Sequence, residues 1–204
     1  MKYIFVAGVP GSRWSSVVKN IYYSPSVDRS DSDPARTYAH HGAYQGSVMH
    51  LGSYFDPGME FGHWFDRLHQ HTRDQCEQEF DRPFSGQGVR IIKSHHFCYH
   101  VDFLKQHWPD CPIIMVHRND CASLNWWVAC GGFAISYPDY NKYYQDLDFM
   151  AQEIARQNTA MMQHWHHGTV VHNNQQLCAQ LGLQPVPDQY QQNYADHDVS
   201  VTIY

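Results

Sequence analysis

Three polar stretches carry residue types suited to handling an anion. The first, Gly8-Val9-Pro10-Gly11-Ser12-Arg13-Trp14-Ser15-Ser16, follows a short apolar run and leads into a helical pattern. A strand that turns through Gly and Ser into a helix aims backbone N–H groups and a positive dipole end at one point, which suits phosphate or sulfate. Arg13 adds a planar guanidinium, and Ser12, Ser15 and Ser16 add hydroxyl donors. The second stretch, Lys93-Ser94-His95-His96, sets a cation beside an imidazole. Lys93 can neutralise charge on a group in transfer, and His95 can take the proton of an attacking hydroxyl near neutral pH. The third, His117-Arg118-Asn119-Asp120-Cys121-Ala122-Ser123, ends a strand on Arg118 and places Ser123 in the first turn of the next helix, again suited to a phosphate.

The elements that must position these groups can be read from the apolar pattern. Tyr3 to Ala7, Val89 to Ile92 and Ile113 to Val116 are continuous, mostly β-branched runs, and Thr169 to His172 is a weaker fourth. Such runs suit strands buried on both faces of a parallel sheet. Helical spacing occupies Ser15 to Tyr23, Val101 to Trp108, a stretch from an Asp120 N-cap to Ala129, Leu147 to Trp165, and Gln175 to Leu181 closed by Gly182. Strands alternating with helices predict an α/β fold: a P-loop-like three-layer arrangement with a central parallel sheet flanked by helices. Each polar stretch then follows the carboxyl end of a strand, where open α/β sheets bind ligands. Residues 24–88 break the rhythm and are expected to form an irregular insertion or lid, and the polar tail after Pro185 to pack loosely or cap an edge.

Composition sets limits on this reading. The chain has 204 residues, 43% hydrophobic and 17% charged, which excludes a disordered chain or a coiled coil and suits one domain spanning 1–204. Fourteen Lys+Arg against 20 Asp+Glu give a formal charge of −6, which argues against nucleic acid or an anionic membrane as partner. No apolar run approaches the roughly 18 residues of a membrane span. Residues 1–7 are too short, and too soon followed by Gly8, to read as a signal peptide. Six scattered cysteines without a Cys-x-x-Cys pair suggest reduced thiols and a cytoplasmic location.

Taken together, the three stretches resemble the sulfotransferases that use 3′-phosphoadenosine 5′-phosphosulfate (PAPS). Residues Gly8 to Ser16 are similar to that family's 5′-phosphosulfate loop, Lys93-Ser94-His95 to its Lys-Thr-His segment, and Ile113 to Asn119 with Ser123 to its 3′-phosphate site. Thr169 to Asn174 and Leu181-Gly182-Leu183 are similar to its late strand, helix and Leu-Gly-Leu. The resemblance implies PAPS as co-substrate, bound by Pro10, Gly11, Ser12, Arg13, Trp14, Ser15, Ser16, Arg118 and Ser123. It implies His95 as catalytic base, with Lys93 and Arg13 beside the sulfonate, and a small-molecule or carbohydrate acceptor. The sequence departs from the pattern in three ways. Gly11 stands where a basic residue is usual, and Arg13 where Gly is common, so the charge would reach its target from a shifted position. Ser123 follows Arg118 sooner than expected, which makes Asn125 an alternative. The late Arg-Lys-Gly segment is not evident.

Other readings compete. A P-loop small-molecule kinase is disfavoured by the absence of a Walker lysine. A non-catalytic nucleotide binder stays open. So does a histidine-rich metal binder, since the 16 histidines include His95-His96-x-x-x-His100, His69-x-His71 and His164-x-His166-His167. Tyr38, Tyr44, Tyr54, Phe55, Trp64 and Phe65 form either an aromatic wall for an acceptor or the core of the inserted segment.

Overall fold

The computed structural model describes residues 1–33, 37–40, 46–49, 51–135, 146–191, 193–194 and 197–204, with 37–40 and 46–49 as backbone only. The predicted apolar runs become β1 (Tyr3–Gly8), β5 (Arg90–Lys93) and β6 (Ile113–His117), and a two-residue strand, β4 (Ser53–Tyr54), joins them. These four are parallel, in the order β4-β5-β1-β6. Two more complete a mixed six-stranded sheet: β8 (Ser200–Ile203) lies antiparallel between β6 and the edge strand β7 (Thr169–Val171). A separate antiparallel pair is formed by β2 (Thr37–His40) and β3 (Gly46–Met49).

Side-chain alternation along β1 builds two cores. Ile4 and Val6 face α1 (Trp14–Tyr22) and α6 (Asn174–Gln180), where Val17, Val18, Ile21, Leu177 and Cys178 cover them. Tyr3, Phe5 and Ala7 face the opposite layer. That layer contains Cys76 and Phe80 of α2 (Arg73–Asp81), Val101 and Leu104 of α3 (Val101–His107), and Met161 of α5 (Leu147–Met162). With helices on both faces, β1 is fully buried, as its unbroken apolar sequence requires. A smaller cluster joins Val9 to Trp127 and Cys130 beside α4 (Asp120–Ala129) and to Met150 and Ile154 of α5.

The structure corrects three expectations. The sheet is mixed rather than parallel, because β8 separates β7 from β6. The tail does not simply cap an edge: Val201 and Ile203 alternate into the core while Thr202, between them, is buried on the other face. Residues 24–88 contribute β4, which extends the sheet, and α2, which closes one core. A Thr72–Gln75 capping box starts α2, which buries an i, i+4 pair in an otherwise polar helix. Finally, α4 is capped by Asn119 rather than Asp120, its Oδ1 accepting from the Cys121 and Ala122 amides.

Candidate functional site

The loop after β1 is the centre of the site because β1 lies between β5 and β6, so the carboxyl ends of all three meet around it. After β1 the chain returns to the β4–β5 side of the sheet, and after β6 it goes on to β8 and β7. The gap between β1 and β6 is therefore a topological switch point, where open α/β sheets form their ligand crevice. Packing here is tight. A Cβ on Gly8 would lie 2.9 Å from Ser12 Oγ and 3.1 Å from the Val116 carbonyl, and one on Gly11 would lie 2.0 Å from the Ser123 carbonyl. Gly11 has φ 77°, and Arg13, the N-cap of α1, is left-handed at φ 63° and ψ 25° with no side-chain cap. A left-handed arginine costs about 1 kcal/mol, so tertiary contacts must hold it there.

On the β5 side, Lys93 and His95 are buried in an aromatic box. The Lys93 amine is 5.3 Å from the Trp14 ring centroid and 5.9 Å from that of Tyr54, with no hydrogen-bond partner among the described residues. Burial pushes its pKa down to about 7, against the opposing pull of Asp31 and Asp56. The His95 ring stacks on Trp14 and meets Tyr54 edge-on. Its Nδ1 pairs with the Gly8 carbonyl, so that nitrogen carries the proton and Nε2 keeps the lone pair, 4.0 Å from Asp56 Oδ2. Burial lowers the His95 pKa, with Asp56 pulling the other way, and so favours a neutral ring.

Asp56 organises this side. Its Oδ1 accepts the Ser94 hydroxyl and the amides of His95 and His96, the latter two at 2.9 and 3.4 Å. Its Oδ2 is buried without a hydrogen bond among the described residues, as is Ser12 Oγ. Buried polar atoms seldom lack partners. Ser12 Oγ and the Lys93 amine, both donors and both behind the same loop, are therefore suited to an anionic oxygen.

On the β6 side, Arg118 donates from Nε to the His197 carbonyl at 3.0 Å and from Nη1 to the Gly11 carbonyl at 3.4 Å. The Arg13 guanidinium lies 3.6 Å from the centroid of Trp126 on α4. Ser123 is buried and turns its hydroxyl to the Arg118 carbonyl, 3.3 Å away. Asn158 of α5 holds the same carbonyl at 2.9 Å and Asp120 Oδ1 at 2.6 Å, tying α5 to the end of β6.

The expected residues thus converge in part. Gly11, Ser12, Arg13, Trp14, Lys93, His95 and Arg118 surround one loop. Pro10 is buried within it, Ser15 and Ser16 are half-buried in the first turn of α1, and Ser123 is occupied in an internal bond. Asp56 is the addition, and Trp126, one of two adjacent tryptophans in which the sequence suggests a lining for the acceptor pocket, instead packs on Arg13. Asp56 has only one local signal, the Tyr54-Phe55-Asp56-Pro57-Gly58 sequence of an aromatic pair running into a turn. Of the proposed aromatic wall, Tyr54 faces His95, Phe55 and Phe65 belong to the core, and Trp64 packs at its margin. Tyr44 and the Tyr38 side chain lie outside the described residues. Among the described residues no group of three or more His, Cys, Asp or Glu could hold a metal ion, and no helix is long and apolar enough to cross a membrane. Comparison with known proteins found no matching family model, no matching curated protein and no matching solved structure.

Proposed function

We propose that the chain is a PAPS-dependent sulfotransferase acting on a hydroxyl or amine of a small-molecule or carbohydrate acceptor. The observation that carries this reading is the meeting of Lys93, His95 and Arg118 around the Gly8–Ser16 loop. The orphaned Ser12 hydroxyl and Lys93 amine fit the sulfonate end of the co-substrate, and Arg118 fits its nucleotide end. Arg13 adds a second guanidinium to the loop.

In this reading the acceptor oxygen or nitrogen attacks sulfur in line, and the S–O bond to the 5′-phosphate breaks. The proton passes to His95 Nε2, the nitrogen left basic by the Nδ1 bond to Gly8. The resulting imidazolium is stabilised by Asp56, and Lys93 with the loop amides offsets charge on the departing phosphate. His95 is buried, so its surroundings must open for the acceptor to reach Nε2 in the plane of the ring.

The test is isothermal calorimetry with 3′-phosphoadenosine 5′-phosphate, the desulfonated product, followed by sulfonate transfer from PAPS to an acceptor panel. Binding of the product together with a loss of turnover of about 10²–10⁴-fold in His95→Ala is expected. Magnesium-dependent ATP consumption without response to that nucleotide would replace this reading with the kinase one.

A further inference from the structure

The cations at the site fall into two groups on opposite sides of the loop. Lys93 touches Trp14 and Tyr54, with Asp56 and Asp31 as its charged neighbours, all from the β4–β5 side or from α1 and the segment after it. Arg13 touches Trp126 of α4 and has Arg118 as its charged neighbour, both from the β6–α4 segment. Although Arg13 follows Ser12 directly, its left-handed backbone accompanies a side chain turned away from the lysine and onto the α4 indole.

Arg118 Nη1 reaches the Gly11 carbonyl, two residues before Arg13, so two partly buried guanidiniums share this part of the loop and repel. Among the described residues neither Arg13 nor Arg118 forms an ion pair with one, although Asp198 exerts a weaker pull on Arg118. Arg13 Nε is buried without a hydrogen-bond partner among the described residues. Arg118 spends Nε and Nη1 on backbone carbonyls, which fix its orientation and leave Nη2 unused among the described residues. Stacking on Trp126 holds the Arg13 plane flat, so its N–H edge is presented with little further ordering. Both groups stand at the β1–β6 switch point.

We infer that Arg13 and Arg118 together hold one phosphate monoester dianion, so that Arg13 serves the 3′-phosphate end of the nucleotide and not the sulfonate in transfer. The two-guanidinium site follows from the geometry, whereas its assignment to a 3′-phosphate rests on the function proposed above. A dianion between the two would remove their repulsion and supply the buried Nε with an acceptor. It also accounts for the inverted order of Gly11 and Arg13. Gly11 must lack a side chain because the Ser123 carbonyl fills its Cβ position, so the loop's cation is carried two residues later, on the α4 side.

The test compares 3′-phosphoadenosine 5′-phosphate with adenosine 5′-monophosphate by calorimetry, in wild type and in Arg13→Gln and Arg13→Gly. Glycine accepts the left-handed backbone, so the second variant keeps the fold if the first does not. The expected result is a loss of about 10- to 100-fold in affinity for the 3′-phosphorylated nucleotide, with the monophosphate changed less than about threefold. Equal losses for both nucleotides, or no loss for either, would overturn the assignment. If wild type binds neither nucleotide, the sulfotransferase reading fails separately. The site itself is then judged by inorganic phosphate in thermal unfolding: a stabilisation abolished in Arg13→Gly supports it, and no stabilisation of wild type rejects it.

Discussion

The ring of His95 lies flat on the indole of Trp14, with centroids 4.1 Å apart and planes 13° from parallel. The imidazole proposed as proton acceptor is thus covered on one face by the first residue of the helix that follows the Gly8–Ser16 loop. Burial is the largest influence lowering its pKa, and the indole contributes to that burial on one face. Trp14→Leu should raise the His95 pKa toward the usual 6.5, read by NMR titration of the imidazole resonances. An unchanged pKa would show that other groups desolvate the ring.

Lys93 makes a prediction at high pH. Its folded pKa of about 7 lies below the ordinary 10.5, so between those values the unfolded chain binds the extra proton. Stability contributed by this group therefore rises as pH increases through that window and is at its lowest below pH 7. Urea unfolding from pH 7 to 10 should give a shallower rise for Lys93→Met than for wild type. Parallel slopes would mean that the amine stays charged in the folded chain.

On the acid side, His100 gives the same sign. Burial, with smaller contributions from His96 and His69, lowers its pKa to about 4, and its Nε2 has no partner among the described residues. Between pH 6.5 and about 4 the unfolded chain takes up more protons, so stability falls as pH falls through that range. His95 and His117, also lowered by burial, act in the same direction. His100→Gln should flatten this acid limb without removing it.

Asp56 separates charge from hydrogen bonding. Ala at this position would orphan the Ser94 hydroxyl proton and the His95 amide, while the His96 amide keeps Ser94 Oγ at 3.1 Å, for a loss of about 2 kcal/mol in chemical denaturation. Asn can keep an oxygen facing those donors while removing the negative charge near His95 Nε2. Asp56→Asn is therefore expected to fold close to normally and to lose sulfonate transfer more than product-nucleotide affinity. Equal retention of both would exclude Asp56 from the proton-transfer step.

Gly11→Ala should be the most damaging single-methyl change in the loop. It combines a left-handed φ of 77° with a Cβ only 2.0 Å from the Ser123 carbonyl, so either the loop or α4 must move. A destabilisation of about 2–4 kcal/mol is expected in urea unfolding. Nucleotide affinity should fall too, because Arg118 is held on the Gly11 carbonyl.

The sequence by itself determined the parallel centre of the sheet and the polar ends that meet there. Tyr3–Ala7 and Ile113–Val116 are unbroken apolar runs and Ile91-Ile92 is a shorter one between Arg90 and Lys93, and burial on both faces suits such runs to a central position. Once those three are adjacent and parallel, Ser12, Lys93 and Arg118 must share an edge. Tertiary structure alone decided the rest. The inward alternation of Val201 and Ile203 spans only four residues after a polar tail, too short a pattern to announce an internal strand. Asp56 joins the site because β4 pairs with β5 for two residues, a contact that no local propensity encodes. The side of the loop on which Arg13 lies depends on a left-handed backbone angle and on an indole more than a hundred residues away. Residue type sets which chemistry is available, but the direction of a side chain at a turn is set by what packs against it.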